Sequence, residues 1–269
     1  MSFIAPTGVL GDLCTLARER VAESRRLPLP MPVRPLEPFA FHDALSQKAR
    51  EGRFPLICEV KRASPSAGTL RAKLEVGQQA RVYEAGGAAA VSVLTEPTRF
   101  LGNLGDLLKV REAVKVPLLR KDFVVDTHMV EEAYAYGADA VLLIAAAIPP
   151  EMLLACATRA DDLGLDVLLE LIYPRDLDVL SLRPWPIVGI NARDLETLEI
   201  DMGRFRELAT AARAGEPAGA PRLLVAESGL SSRTAVESVR KDGADAALIG
   251  EALMRAEHPA RLIEAWSGR

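Results

Sequence analysis

Gly137-Ala138-Asp139-Ala140-Val141-Leu142-Leu143-Ile144 decides the fold. The glycine stands where a helical pattern over 127–136 runs out. It suits the left-handed position just past a helix end because it carries no Cβ. The apolar run after it shows no polar alternation, which is the pattern of a parallel strand buried on both faces. The phrase returns as GAAAVSVL at 87–94, GLDVLLEL at 164–171 and GADAALIG at 243–250. Four further runs read as strands without a leading glycine: LICEVK at 56–61, VPLLRK at 116–121, PIVGIN at 186–191 and RLLVAE at 222–227.

Eight strands follow, spaced by roughly 20–35 residues, enough for one helix in each crossover. Helical patterns fill the intervals at 75–86, 103–115, 127–136, 149–163, 203–213 and 231–242, with a weaker one at 174–183. An open doubly wound sheet is the alternative, but no second composition zone appears, and the expectation is a single closed (β/α)8 TIM barrel. Ahead of it, residues 9–26 carry an apolar stripe of Leu10, Leu13, Leu16, Ala17 and Val21 at helical spacing. Prolines 28, 30, 32, 35 and 38 then make an extended connector, since proline lacks the N–H and fixes φ. A short helix over 41–51 leads into the barrel. The division expected is an N-terminal helical extension, 1–50, packed on a barrel of residues 51–269.

The 269 residues are 49% hydrophobic and 26% charged, with net charge −4, as in a globular protein with a substantial core. No basic block or basic–aromatic stripe appears, which argues against nucleic acid. No apolar run approaches ~18 residues, so no membrane span is expected. MSFIAPTGVLGDLC lacks the charged start and apolar centre of a signal peptide. Cys14, Cys58 and Cys156 are scattered and without metal spacing, and read as reduced, cytoplasmic packing residues. His42, His128 and His258 are isolated and read as surface or structural, so no metal site is expected.

Strands of such a barrel should be apolar throughout, yet several end on charge. Glu59 and Lys61 lie on the first, Lys121 ends the third, Glu170 is on the fifth, Asn191 ends the sixth and Glu227 the seventh. All fall at C-terminal strand ends, where barrel enzymes carry their sites. Alternation puts Glu59 and Lys61 on one face with Ile57. It likewise puts Lys121 with Leu119, Glu170 with Leu168, Asn191 with Gly189, and Glu227 with Val225. Buried charge is costly unless paired. The bland reading is a ring of structural ion pairs; the functional one is acid–base chemistry, with a lysine tuned to deliver protons and a glutamate to accept them.

A second constellation suits phosphate. Ser228 and Gly229 follow the seventh strand and Gly250 ends the eighth, where barrels place phosphate against backbone N–H groups and a short helix. Ser64, Pro65, Ser66 and Lys61 can contribute from the side. The alternative is glycines that only make tight turns. Phe100, Phe123, Leu142, Ile144, Leu195 and Leu248 can form apolar walls for an aromatic substrate, although core packing explains each one singly.

These residues resemble the indole-3-glycerol-phosphate synthase family. The matching segments are Cys58-Glu59-Val60-Lys61-Arg62-Ala63-Ser64-Pro65-Ser66, Val93-Leu94-Thr95-Glu96, Phe100-Leu101-Gly102 and Leu119-Arg120-Lys121-Asp122-Phe123. Gly189-Ile190-Asn191-Ala192-Arg193-Asp194-Leu195, Ala226-Glu227-Ser228-Gly229 and Leu248-Ile249-Gly250-Glu251-Ala252-Leu253-Met254 complete them, in order. The resemblance implies a carboxy-lyase of tryptophan biosynthesis. It acts on 1-(o-carboxyphenylamino)-1-deoxyribulose 5-phosphate: a ring carbon attacks the ribulose carbonyl, CO2 leaves, and water is lost to give indole-3-glycerol phosphate. It implies Lys121 as general acid, Glu170 as base, Lys61 as a second acid or anion ligand, and Glu59 positioning them. Asn191 and Arg193 would hold the carboxylate and hydroxyls, and Glu227 and Ser228 the sugar. Phe100, Phe123, Leu142, Leu195 and Leu248 would face the aromatic ring. Lys61, Ser64, Gly229, Gly250 and Glu251 would hold phosphate, Glu251 through its backbone. No metal or organic cofactor is implied. Ala192, Glu251 and Leu171-Ile172-Tyr173-Pro174 depart from the family's usual wording. A monomer or weak dimer is expected, with other tryptophan-pathway enzymes as candidate partners.

Two alternatives carry different signatures. A phosphoribosylanthranilate isomerase pairs a cysteine base with an aspartate acid, but Cys58 should face away from the barrel interior. A non-catalytic sensor of such a metabolite has little use for two lysines and three glutamates at its mouth.

Overall fold

The computed structural model describes residues 3–32, 38–216 and 221–268. Eight parallel strands close on themselves: β1 (Leu56–Val60), β2 (Ala90–Leu94), β3 (Leu118–Lys121), β4 (Ala140–Ile144), β5 (Asp166–Leu171), β6 (Ile187–Asn191), β7 (Leu223–Glu227) and β8 (Ala246–Ile249). β1 closes the ring, pairing β2 through Ile57↔Ala90 and β8 through Leu56↔Ala247. The open-sheet alternative is thereby excluded. Gly137 takes φ +84°, and Gly87, Gly164 and Gly243 share its sign, as the chain needs where a helix turns into the next strand.

The first two helices are α1 (Gly8–Ser24) and α2 (Ala40–Arg50). The crossover helices are α3 (Val76–Ala85), α4 (Leu104–Ala113), α5 (Thr127–Ala135), α6 (Pro150–Asp162), α7 (Met202–Ala214) and α8 (Arg233–Lys241). The weaker pattern after β5 is a 3-10 helix, Pro174–Ser181, started by Asp176, whose carboxylate accepts from Ile172 N at 2.8 Å and Tyr173 N at 2.9 Å. Two C-terminal helices, α9 (Glu251–Arg255) and α10 (Pro259–Trp266), lie outside the sequence expectation. So does a two-residue antiparallel pairing of Ala63–Ser64 with Gly68–Thr69 after β1. Residues 28–32 are in neither helix nor strand, and Pro35 of the expected connector lies outside the described residues.

Two carboxylates near the N-terminal strand ends fix register. Asp139 accepts from Leu118 N at 2.7 Å and Asp245 from Leu224 N at 2.8 Å. Register matters because a one-residue slip would turn every rim side chain to the other face. α1 buries Leu10, Leu13, Cys14, Ala17 and Val21. It donates Leu10 N to Leu195 O at 3.1 Å, which sets it beside the loop after β6. α2 receives its cap from the barrel: Asp166, at the start of β5, accepts from His42 N at 2.9 Å. His128 is buried between Glu131 and Glu132, a structural setting rather than a surface one.

Candidate active site

At the C-terminal ends of the strands lies a cavity of about 580 Å³. Every site residue expected from sequence lines it, from Glu59 and Lys61 on one side to Gly250 and Glu251 on the other. Register brings the polar groups level: Glu170 pairs Ile144, Asn191 pairs Glu227, and Glu227 pairs Leu248. Cys58 points away, buried behind the strand and outside the cavity lining. The cysteine–aspartate reading therefore has no base in the cavity.

Two cations organise the floor. Lys61 Nζ lies 2.6 Å from Glu59 Oε1. Lys121 Nζ sits between two carboxylates, 3.1 Å from Glu170 Oε2 and 3.2 Å from Glu227 Oε2. Asn191 Nδ2 donates to the other oxygen of Glu170 at 3.1 Å, and its Oδ1 accepts from Arg193 N at 3.0 Å. Burial alone draws the Lys121 ammonium down, but Glu170, Glu227 and Glu59 more than reverse this and hold it well above the ordinary lysine value. Burial pushes the Glu227 carboxyl up, Lys121 pulls it back and Glu170 pushes it up again, leaving it raised to about 8. Burial lowers the Arg193 guanidinium, which Glu251 and Glu59 counter.

Two glycines make room for these carboxylates. A Cβ at Gly189 would overlap Glu227 Oε1, and one at Gly250 would overlap Glu59 Oε1 and lie 2.9 Å from Lys61 Nζ. At the polar end, Ser228 and Gly229 both take positive φ, 65° and 72°. For Ser228 this left-handed backbone costs about 1–2 kcal/mol, an expense usual at functional turns. The short helix α9 begins after Gly250. Its Glu251 carboxylate accepts from Arg255 Nε at 2.9 Å, which leaves the backbone side of the turn to the cavity. Ser64 Oγ accepts from Ala67 N at 3.2 Å, ordering the loop after β1.

Part of the lining is apolar. Phe100 and Phe123 stand 6.2 Å apart, centroid to centroid, among Leu142, Ile144, Leu195 and Leu248. Glu96, buried at the end of β2, accepts from Arg99 N at 2.7 Å and Phe100 N at 3.0 Å and so holds the Phe100 turn. Val9 and Leu13 of α1 complete this wall. Sequence reading missed them as lining residues: a stripe shows which helix face is buried, not what it faces. Arg255 was missed likewise, because α9 had no clear pattern.

Behind Lys121 is a buried polar junction. Asp122 accepts two bonds from Arg20 of α1 (2.7 and 3.0 Å), and one each from Thr95 Oγ1 (2.6 Å), Phe123 N (2.8 Å) and Arg120 (3.2 Å). Burial pushes Asp122 up, but Arg120, Arg20 and Thr95 prevail and hold it well below the usual carboxylate range. Among the described residues, no group of three or more His, Cys, Asp or Glu side chains is placed to hold a metal ion.

A closed barrel with lysines among carboxylates, an anion-suited turn and an aromatic-lined end is also what a family model describes: "Indole-3-glycerol phosphate synthase" matches residues 18–265. The chain belongs to the indole-3-glycerol phosphate synthase family. Relatives of that name include one from Salinibacter ruber, 39% identical over 95% of this chain and 93% of its own length. Another, from Geobacillus kaustophilus, is 41% identical over 95% of both chains. A third, from Rhodopirellula baltica, is 44% identical over 80% of both. Indole-3-glycerol phosphate synthases are decarboxylating lyases of tryptophan biosynthesis, EC 4.1.1.48, and that is the activity of this chain. Solved structures show the same fold at low identity. Tryptophan synthase subunit alpha from Legionella pneumophila is 12% identical with TM-score 0.58, covering 85% of this chain and 97% of that one. 3-Hexulose-6-phosphate synthase from Salmonella typhimurium is 12% identical with TM-score 0.59, covering 80% and 97%.

Proposed function

We propose that Lys121 is the general acid of the ring closure and Glu170 the base of the later deprotonation. One observation carries this: the Lys121 ammonium is held between Glu170 and Glu227 at 3.1 and 3.2 Å in the lining of the cavity. The o-carboxyphenyl ring enters among Phe100, Phe123, Leu142, Leu195 and Leu248, and the phosphate goes to the turns of Gly229 and Gly250. Backbone N–H groups there, including that of Glu251, bind it, with Ser64 and Lys61 closing from the side. This lays the ribulose carbonyl over Lys121. Attack by the ring carbon builds negative charge on that oxygen, and the ammonium supplies both field and proton.

Asn191 and Arg193 hold the substrate carboxylate and hydroxyls, and Glu227 and Ser228 the sugar. Glu59 orients Lys61, which binds anionic groups or acts as a second acid. The chemistry is proton transfer between positioned charges, so it asks for no metal or organic cofactor. Residues 1–50 act as an extension of the barrel of residues 51–269, closing the aromatic end through Val9 and Leu13. No helix among the described residues is long and apolar enough to cross a membrane. A cytoplasmic monomer or weak dimer fits the reading, with other tryptophan-pathway enzymes as candidate partners.

The test is ultraviolet detection of indole formation. Lys121→Met should abolish turnover with the fold intact, and Glu170→Gln should lower it by roughly 10²-fold or more. Near-wild-type indole formation by either variant removes that residue from its role.

A further inference from the structure

The reaction must protonate one oxygen twice. The ribulose carbonyl oxygen takes a proton when the ring closes and becomes a hydroxyl. The same oxygen then takes a second proton to leave as water. A single lysine aimed at it delivers the first and is left as a neutral amine.

The two glutamates beside Lys121 are bonded differently. Both oxygens of Glu170 act as acceptors, Oε1 from Asn191 and Oε2 from Lys121. Glu170 is thus bonded as an ionised carboxylate. Glu227 differs: it is buried, and neither of its oxygens makes a hydrogen bond among the described residues, although Lys121 Nζ lies 3.2 Å from Oε2. A buried carboxylate left in that state is costly, whereas a neutral acid is far less so. The surroundings agree. The charged groups of the floor are Lys121 from β3, Glu170 from β5, and Glu59 and Lys61 from β1; Asn191 of β6 and Leu248 of β8, its register partners, are neutral. Three carboxylates and two ammonium groups make up the floor, and a further cation of the cavity, Arg193, offsets Glu251 and Glu59. The rim guanidinium of Arg193 is directed at Leu198 O, 2.9 Å away.

We infer that Glu227 rests as the neutral acid and is the proton reservoir that reloads Lys121, so that one lysine protonates the substrate oxygen in both steps. This rests on the reading of Lys121 as general acid. In the first step the ring carbon forms its bond to the carbonyl carbon, the π pair moves to oxygen, and oxygen takes the Lys121 proton. The carboxylate leaves as CO2 and its bonding pair restores the aromatic ring. Glu227 then passes its proton to the Lys121 amine across the 3.2 Å contact. In the second step the hydroxyl departs with the reloaded proton as water, while Glu170 takes the proton from the neighbouring methylene carbon and its pair closes the indole double bond. Two protons are given and one is taken. The overall reaction consumes one proton for each CO2 released, and that proton from solvent resets the site.

The experiment follows CO2 release and indole appearance separately in a single turnover. In the wild type the two should run together. Glu227→Gln keeps the shape but cannot donate to the amine. Whatever it loses in holding the sugar falls on both steps alike, so at saturating substrate its indole formation should be slowed roughly 10²-fold more than its CO2 release, with a hydroxyindoline accumulating. Glu227→Asp, which keeps the proton, should recover part of the second step. In the wild type the second step should lose rate above about pH 8, where Glu227 gives up its proton, and this limb should be missing from the residual rate of Glu227→Gln. CO2 release and indole formation slowed equally in Glu227→Gln, or the same alkaline limb in both proteins, would each overturn the reservoir. Lys121→Met is the separate control: CO2 release by that variant would overturn the general-acid reading itself.

Discussion

Asp122→Asn tests whether the junction behind Lys121 holds the N-terminal helix to the barrel. The carboxylate is fully buried, the Arg120 side chain is 1% exposed, and that of Arg20 is 26% exposed. Substitution by the amide keeps the volume but removes the charge between two guanidinium groups and turns an NH2 toward one of them. Arg20 can swing partly into water; Arg120 cannot, and retains only Glu132 at 3.0 Å as its ion pair. Breaking a buried pair from one side costs roughly 3–5 kcal/mol. At about 2–4 °C per kcal/mol for a chain of this size, the melting temperature should fall by about 10 °C. Arg20→Met should cost less, because Asp122 keeps its other donors, and a double-mutant cycle should return a coupling of about 1–3 kcal/mol. The pH dependence has a defined sign. Folding depresses the pKa of Asp122, so its stabilisation is present above the unfolded value of about 3.9 and is lost as pH falls through the lower folded value. The difference between wild type and Asp122→Asn should therefore be constant from about pH 5 to 8 and shrink in acid. A penalty below about 1 kcal/mol at pH 7 would mean that desolvation cancels the attraction, and that α1 is held by its apolar face alone.

Asp166→Asn should behave oppositely. Burial pushes Asp166 up to about 6, so its contribution is fully present below the unfolded value of about 3.9 and is lost as pH rises through about 6. The asparagine keeps an acceptor for His42 N and should stabilise the fold by about 1–3 kcal/mol at pH 8, with the gain gone near pH 4; urea midpoints that show no such trend count against this account. Gly189→Ala should leave circular dichroism unchanged but turn the Glu227 carboxylate away from Lys121, lowering kcat by roughly tenfold or more. Wild-type turnover there would mean that Glu227 has another place to stand.

The barrel was legible because its signals are local. Each strand is a short apolar run, four begin after a glycine in the left-handed region, and the charged or amide residues Glu59, Lys121, Glu170, Asn191 and Glu227 lie at or near the C-terminal ends of their strands. Alternation alone placed Glu59, Glu170, Asn191 and Glu227 inward and Cys58 outward, since the side-chain period of a strand leaves no freedom once one residue is fixed. Contacts between distant segments were not legible. Arg20 and Asp122 are 102 residues apart, and nothing near either one names the other. The stripe of α1 announced a buried face, yet whether Leu13 met helix or cavity depended on how the helix crosses the barrel mouth. α9 is too short for a period to show. The 3-10 helix after β5 is set by the Asp176 carboxylate on two backbone N–H groups, a turn device rather than a repeating pattern.

The same ion pairs satisfy both readings of the charged rim, and that is informative. If they served stability alone, each carboxylate would be matched to a cation by hydrogen bonds, as at Asp122, where every donor is aimed and the charge is secured. The floor is built differently. Lys121 is shared between two carboxylates, one fully bonded and one not, and Gly189 keeps the space that the second occupies. An arrangement that leaves a buried acid unbonded sacrifices stability, and proteins retain such sites where a proton has to move. The contrast between Asp122 and Glu227, both buried and both beside cations, separates the group that holds the lysine's strand from the group that can change its charge.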